Sequence, residues 1–238
     1  MSTPSCMVYA ETGCFPLWVD IMQRSLSFYI KTQYSTRSSL ASSMLYILHK
    51  AHHHGNLDSK YLKYIHTSLT RLGLPYLYNN YTPLNTTLPI IINRVKRACS
   101  DICIQEWRMT MNESHKAVFY RSIKSNIEFE QYLDILPKSK RITLTKFRLR
   151  NHNLPVECGS WYDVPPELRT CPICPDHIGD EFHYLFECIS TKNYSKALIQ
   201  RYYINRPSVF KMIDLFKTTN KNTLIKLSTY INFIFKLF

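Results

Sequence analysis

The sequence predicts a mainly α fold: a helical bundle that carries a small, irregular CCHC zinc knuckle in its C-terminal third. Three observations carry that expectation. Only five glycines occur in 238 residues, so the frequent glycine turns of an all-β chain are missing. Apolar residues make up 45% of the chain, enough for a core, and they recur at the three- and four-residue spacings of helices. Three cysteines and two histidines crowd into CPICPDHIGDEFHYLFEC, residues 171–188, where a core of apolar residues would be thin.

Taken in order, residues 16–33 read as a helix. Pro16 suits its first turn, and Trp18, Met22, Leu26, Tyr29 and Ile30 form its face. A second helix is expected over 38–54, with Leu40, Met44, Ile47, Leu48 and Ala51 as its stripe and Gly55 just past its end. A third spans 58–72, capped by Asp58, with Leu62, Ile65, Leu69 and Leu72 inward and Gly73 and Pro75 as its stop. The Asn-, Thr- and Pro-rich stretch 76–89 reads as a linker. A longer helix follows over 89–111, with Ile91, Val95, Ala98, Ile102 and Trp107 inward. Shorter helices are expected at 129–136 and 140–151, an irregular stretch at 152–170, and two or three helices around 210–216 and 224–235. The organisation expected is an N-terminal helical segment (1–78), a linker and helical segment (79–137), a basic segment with the zinc module (138–190) and a helical tail (191–238).

The cluster has the pattern Cys171-x2-Cys174-x8-His183-x4-Cys188. A Cys-x2-Cys turn places two thiolates on one ion, and Pro172 and Pro175 stiffen it. Gly179 is expected to allow the chain to reverse between the two ligand pairs. His183 and Cys188 stand five apart, which is off one face of a regular helix unless the helix tightens near its end. Four filled positions leave none for water, so the cofactor expected is a structural zinc. His177 is a rival to His183, although its use would crowd three ligands into seven residues. Asp180 or Glu181 could orient His183 from behind. Two other groups look weaker. Consecutive His52, His53 and His54 point in different directions on a helix and converge poorly, and Cys99 and Cys103 read as small buried hydrophobes.

The formal charge is +13, a surplus that favours an anionic partner such as nucleic acid. Next to the knuckle, KSKRITLTKFRLR (138–150) sets Lys138, Lys140, Arg141, Lys146, Arg148 and Arg150 in a run without an acidic residue, which could neutralise several phosphates. Phe147 and Trp161 could stack on bases. The first twenty residues lack a basic region followed by an apolar run, and the tail YINFIFKLF is too short to span a bilayer. The expectation is an intracellular protein, nuclear or cytoplasmic, not secreted and without a membrane partner. Its thiols would then stay reduced.

Cys171-Pro172-Ile173-Cys174, Glu181-Phe182-His183 and Leu185-Phe186-Glu187-Cys188 together resemble the zinc-binding region that follows the polymerase in LINE-type non-LTR retrotransposon reverse transcriptase polyproteins. The likeness extends to LTKFRLRNHNLPVECGSW (144–161) and VPPELRTC (164–171), and to ETGCFPL (11–17) and the stretch 105–133. It covers roughly residues 8–190. The polymerase itself is missing: no Asp-Asp pair exists in the chain to supply carboxylates to two metal ions, and no P-loop or Gly-x-Ser-x-Gly occurs. The resemblance implies a non-enzymatic, zinc-stabilised tail that binds RNA or DNA with low sequence specificity, beside a reverse transcriptase domain encoded separately or upstream. The alternative is a non-catalytic structural or protein-interaction module, a transposon remnant.

Overall fold

A computed structural model describes residues 3–35, 39–55, 57–78 and 87–238. Helix accounts for 71% of the described residues, so the mainly helical expectation holds. In chain order the α-helices are α1 (Ser5–Thr12), α2 (Leu17–Tyr34), α3 (Leu40–His53), α4 (Lys60–Arg71), α5 (Leu88–Glu113), α6 (Val118–Ile123), α7 (Tyr132–Ile135), α8 (Lys138–Arg148), α9 (Pro155–Trp161), α10 (Lys192–Leu198), α11 (Arg201–Ile204), α12 (Val209–Lys217) and α13 (Lys221–Leu237). A π-helical turn, His183–Glu187, precedes α10. Two isolated antiparallel bridges, Thr12 with Phe129 and Thr170 with Ile178, are the β pairing among the described residues.

Contacts divide the chain into two compact units. One is Phe15–Arg108; the other joins the residues up to Cys14 to Met109–Phe238. The sequence segments 1–78, 79–137, 138–190 and 191–238 cut across this grouping. Pairing between residues more than a hundred apart is what unites α1 with the C-terminal half: Glu130 N–H donates to Glu11 O at 3.0 Å, and the Tyr120 hydroxyl donates to Met7 O at 3.3 Å. No local pattern announces such contacts.

The unit Phe15–Arg108 is built on α2, α4 and α5. Leu26, Tyr29 and Ile30 meet Leu62, Ile65 and Leu69, together with Val95 and Cys99, in one core. Cys99 and Cys103 lie in that core as the small hydrophobes expected, and burial pushes the Cys99 thiol up to about 11. The cap of α4 is Ser59, whose Oγ accepts from Leu62 N–H at 3.3 Å. The expected cap, Asp58, instead pairs with Lys63: the helix starts one residue later, which puts the shorter hydroxyl in reach. Gly73 takes φ 69° at the end of α4, and Leu74 N–H returns to Leu69 O, which closes the helix with a left-handed residue as the sequence suggested. The linker residues 79–86 lie outside the described residues, as does position 38, the expected start of the second helix.

In the other unit, α13 packs along α8. Ser228 Oγ donates to Lys140 O at 2.7 Å, and Lys140 Nζ donates to Thr229 Oγ1 at 2.6 Å. Phe147 stacks parallel to Phe216 at 5.7 Å and meets Phe119 edge-on at 5.8 Å. The stretch 152–170, expected to be irregular, is so only in part. It folds into α9 and a 3-10 turn, Pro166–Leu168: Pro155 and Pro166 start helical turns at positions where their missing N–H costs nothing.

Candidate metal centre

The first ligand pair sits at the tip of a tight hairpin. Thr170 pairs with Ile178, Cys171 N–H donates to His177 O at 2.8 Å, and His177 N–H donates to Cys174 O at 2.9 Å. The second pair comes from the π-helical turn. Cys188 N–H donates to His183 O at 2.8 Å, an i+5 bond. The sequence expectation was a helix that tightens between these residues; the helix loosens instead. The wider turn brings residues five apart back to one side, which a 3-10 turn would not do, and π turns recur at functional sites.

The side chains converge. One ligand atom from each of Cys171, Cys174, His183 and Cys188 lies within 4.8 Å of all the others, so the group could hold a metal ion. Cys171 and Cys188 are fully buried, and His183 is 2% exposed. Neither ring nitrogen of His183 has a hydrogen-bond partner. A buried imidazole in that state is costly unless something else fills the role. Cys171 Sγ and Cys188 Sγ are 3.9 Å apart, far beyond the roughly 2.05 Å of a disulfide. His177, the rival, is exposed and stacks on His183 at 5.2 Å. It belongs to a second group, with His183 and Glu187, and not to the thiol group.

The surroundings act on these groups in different directions. Burial alone would raise the Cys171 thiol, but hydrogen bonding with Tyr184, Ile173 N–H, Cys174 N–H and Cys188 brings it below its usual value. Burial raises the Cys188 thiol, although Ser190, whose Oγ is 3.0 Å from its sulfur, partly offsets this. Burial, and then the neighbouring His177, lowers His183, which favours the neutral imidazole that binds metals.

The scaffold around the site differs from expectation in three ways. Gly179 does not supply a left-handed reversal; it is not among the residues with positive φ. It supplies room: a Cβ there would stand 2.8 Å from Pro155 Cγ and 3.0 Å from the Tyr184 hydroxyl. Asp180 acts on the backbone, since its Oδ1 accepts His183 N–H at 2.8 Å. Glu181 turns away from the ligands. Buried, it faces Arg150 Nε at 2.9 Å and His152 Nε2 at 3.3 Å, and these partners hold its carboxyl below the usual range against the effect of burial. Sequence reasoning missed Tyr230. Its hydroxyl donates to Tyr184 O at 2.9 Å and to Leu185 O at 3.0 Å, so α13 grips the turn that carries His183. An apolar helix face with one tyrosine gave no local signal of this.

The basic run does not form one surface. Lys138 and Lys146 are exposed, and Lys140 and Arg141 are half-buried. Arg148 is 1% exposed and lies between carboxylates: Nε is 2.8 Å from Glu11 Oε1, and Nη2 is 3.1 Å from Glu130 Oε2. Arg150 is 7% exposed and paired with Glu181. Neither guanidinium is available to phosphate. The expected role fails because the run is acid-free only in sequence; acids distant in the chain fold onto it. Phe147 is fully buried, which removes it as a stacking platform, and the half-exposed Trp161 donates Nε1–H to Glu157 Oε1 at 3.2 Å.

Comparison with protein-family models, with curated proteins and with solved structures returned no match. Among the described residues, no helix is long and apolar enough to cross a membrane.

Proposed function

We propose that the protein is a non-catalytic, zinc-stabilised nucleic-acid-binding module, related in descent to the tail of non-LTR reverse transcriptase polyproteins. The observation that carries the zinc part is the convergence of three buried thiols and one unpartnered imidazole. Sulfur and nitrogen donors select zinc over magnesium or calcium. Tetrahedral zinc with Zn–S near 2.3 Å sets its sulfurs about 3.8 Å apart, close to the 3.9 Å between Cys171 and Cys188. Glu187, with Oε2 3.7 Å from His183 Nδ1, is placed to take that ring N–H and leave Nε2 for the ion. Four protein ligands make the ion structural: it welds the hairpin to the π turn, and Val156 N–H to Gly179 O at 3.2 Å ties α9 to the same hairpin.

The charge of +13 supports nucleic acid as the partner, with Lys138 and Lys146 as the remaining exposed cations of the run. A salt titration of RNA binding tests this. Affinity falling with a log–log slope of several units supports it; binding that is absent, or indifferent to salt, contradicts it. A second reading, a protein-interaction module, is favoured by α3. No residue of α3 is buried, and Leu40, Met44 and Ile47 are 77%, 61% and 64% exposed along one stripe, the pattern of a helix that lacks its cover.

A further inference from the structure

A roomy cleft is lined by residues outside the metal centre. It lies wholly within the unit Phe15–Arg108, between the last turns of α3, the middle of α4 and Tyr78, and its volume is about 780 Å³. Lys50, His53 and His54 line one side, Lys63 and His66 the other, and Tyr78 the back. Among the described residues, no carboxylate lines it. Its volume is within the range of small-molecule sites, about 300–1,000 Å³.

The wall is organised rather than accidental. Tyr78 is pinned through its backbone: its carbonyl accepts from the Tyr29 hydroxyl at 2.9 Å and from Gln33 Nε2 at 3.1 Å. Its ring meets His66 edge-on at 4.9 Å and His49 at 5.1 Å. Lys50 Nζ lies 4.9 Å from the centre of the Tyr46 ring. Attraction of cations to the C-terminal end of α3 accounts for Lys50, His52 and His53, but not for Lys63 and His66 in the middle of α4. Lys63 is paired with Asp58, at 2.6 Å, and both side chains are more than half exposed. Such an exposed pair is weak and gives way to a stronger anion. The imidazoles are not a chelate, since none of them belongs to a group close enough to hold a metal ion.

We propose that this cleft binds a nucleotide: a phosphate ester held by Lys50, Lys63 and His66, next to a planar base that packs on the Tyr46 and Tyr78 side. The inference is independent of the metal centre. The same chemistry arrives from a free mononucleotide or from one nucleotide of a single strand. In the second case the contact surface for nucleic acid belongs here and not to residues 138–150.

The test uses the intact chain with zinc present. Binding of adenosine monophosphate, of inorganic phosphate and of a short single-stranded oligonucleotide is measured by calorimetry and fluorescence anisotropy. The nucleotide or the strand should bind at least about tenfold more tightly than phosphate, because base stacking adds to the ionic contact. Lys50→Glu with His66→Ala should weaken that binding at least about tenfold, with zinc content and helix content unchanged. Lys138→Glu with Lys146→Glu should leave the mononucleotide untouched. Lys50→Glu alone, at an exposed position, carries the same expectation should the double variant not fold. Competition separates the sources: a mononucleotide that displaces the strand marks one shared site, and a strand that binds without such displacement, yet is sensitive to Lys50→Glu, marks recognition of the strand alone. Phosphate that binds as well as the nucleotide overturns the proposal, as does binding of nucleotide and strand that is indifferent to Lys50→Glu. Zinc measured in the same samples keeps failure here distinct from failure of the metal reading.

Discussion

Arg148 is a cation out of reach of water, with two carboxylates, the Phe216 carbonyl at 3.1 Å and the Tyr132 ring around it. Removing one partner of a buried pair leaves the others uncompensated. Arg148→Ala is therefore expected to destabilise the unit by about 3–5 kcal/mol, read as a lower midpoint in urea denaturation. Arg148→Met, which fills the same space, should not rescue it while Glu11 stays charged. A wild-type midpoint for Arg148→Ala contradicts the burial of this pair. Among the cysteines, Cys188→Ser should abolish metal binding by elemental analysis, while Cys158→Ser, half-buried and outside the ligand group, should retain about one equivalent. Protons compete with metal for thiolate and imidazole, so metal should be released as the pH falls, and never as it rises through neutrality. The four residues of the cluster were legible because a metal-binding pattern uses fixed residue types at short spacings. The fate of Arg148 was not, because Glu11 is 137 positions away.

At the scale of elements, the long amphipathic helices were readable from periodicity, while their ends and the short pieces were settled by partners. α1, with few turns and no clear stripe, escaped the reading; so did α9, where prolines suggested irregular chain and in fact begin helices. The π turn was the least legible, since widening of the helix follows from its grip by Tyr230 and Thr191, whose hydroxyls both donate to Tyr184 O at 2.9 Å. Tyr230→Phe should lower stability by about 1–3 kcal/mol, because the Leu185 carbonyl loses its side-chain donor while Tyr184 O keeps only Thr191 as one, and should weaken zinc retention against a chelator. Gly179→Ala should weaken it too, since a methyl group would press on Pro155 and Tyr184. Hydrogen exchange before and after chelation should show loss of protection centred on 170–191 and α9, with α2 and α4 little changed. Equal loss along the whole chain would speak against an ion that folds one region.

For the whole molecule, a surplus of +13 is the ground for proposing an anionic partner but does not locate a contact. Folding removes two arginines of the one obvious basic run from the surface and gathers lysine and histidine around a cleft in the other unit. Composition named a class of partner to test and was a poor guide to where its contact would lie. The metal proposal rests on Cys171, Cys174, His183 and Cys188, which lie close enough together to hold an ion. X-ray absorption at the zinc edge on the intact chain tests it most directly. The account predicts about one zinc per chain, with three sulfur ligands near 2.3 Å and one nitrogen near 2.0–2.1 Å, and loss of that spectrum in Cys188→Ser. A chain that binds no zinc, or a zinc shell made of oxygen and nitrogen alone that survives Cys188→Ser, would contradict it.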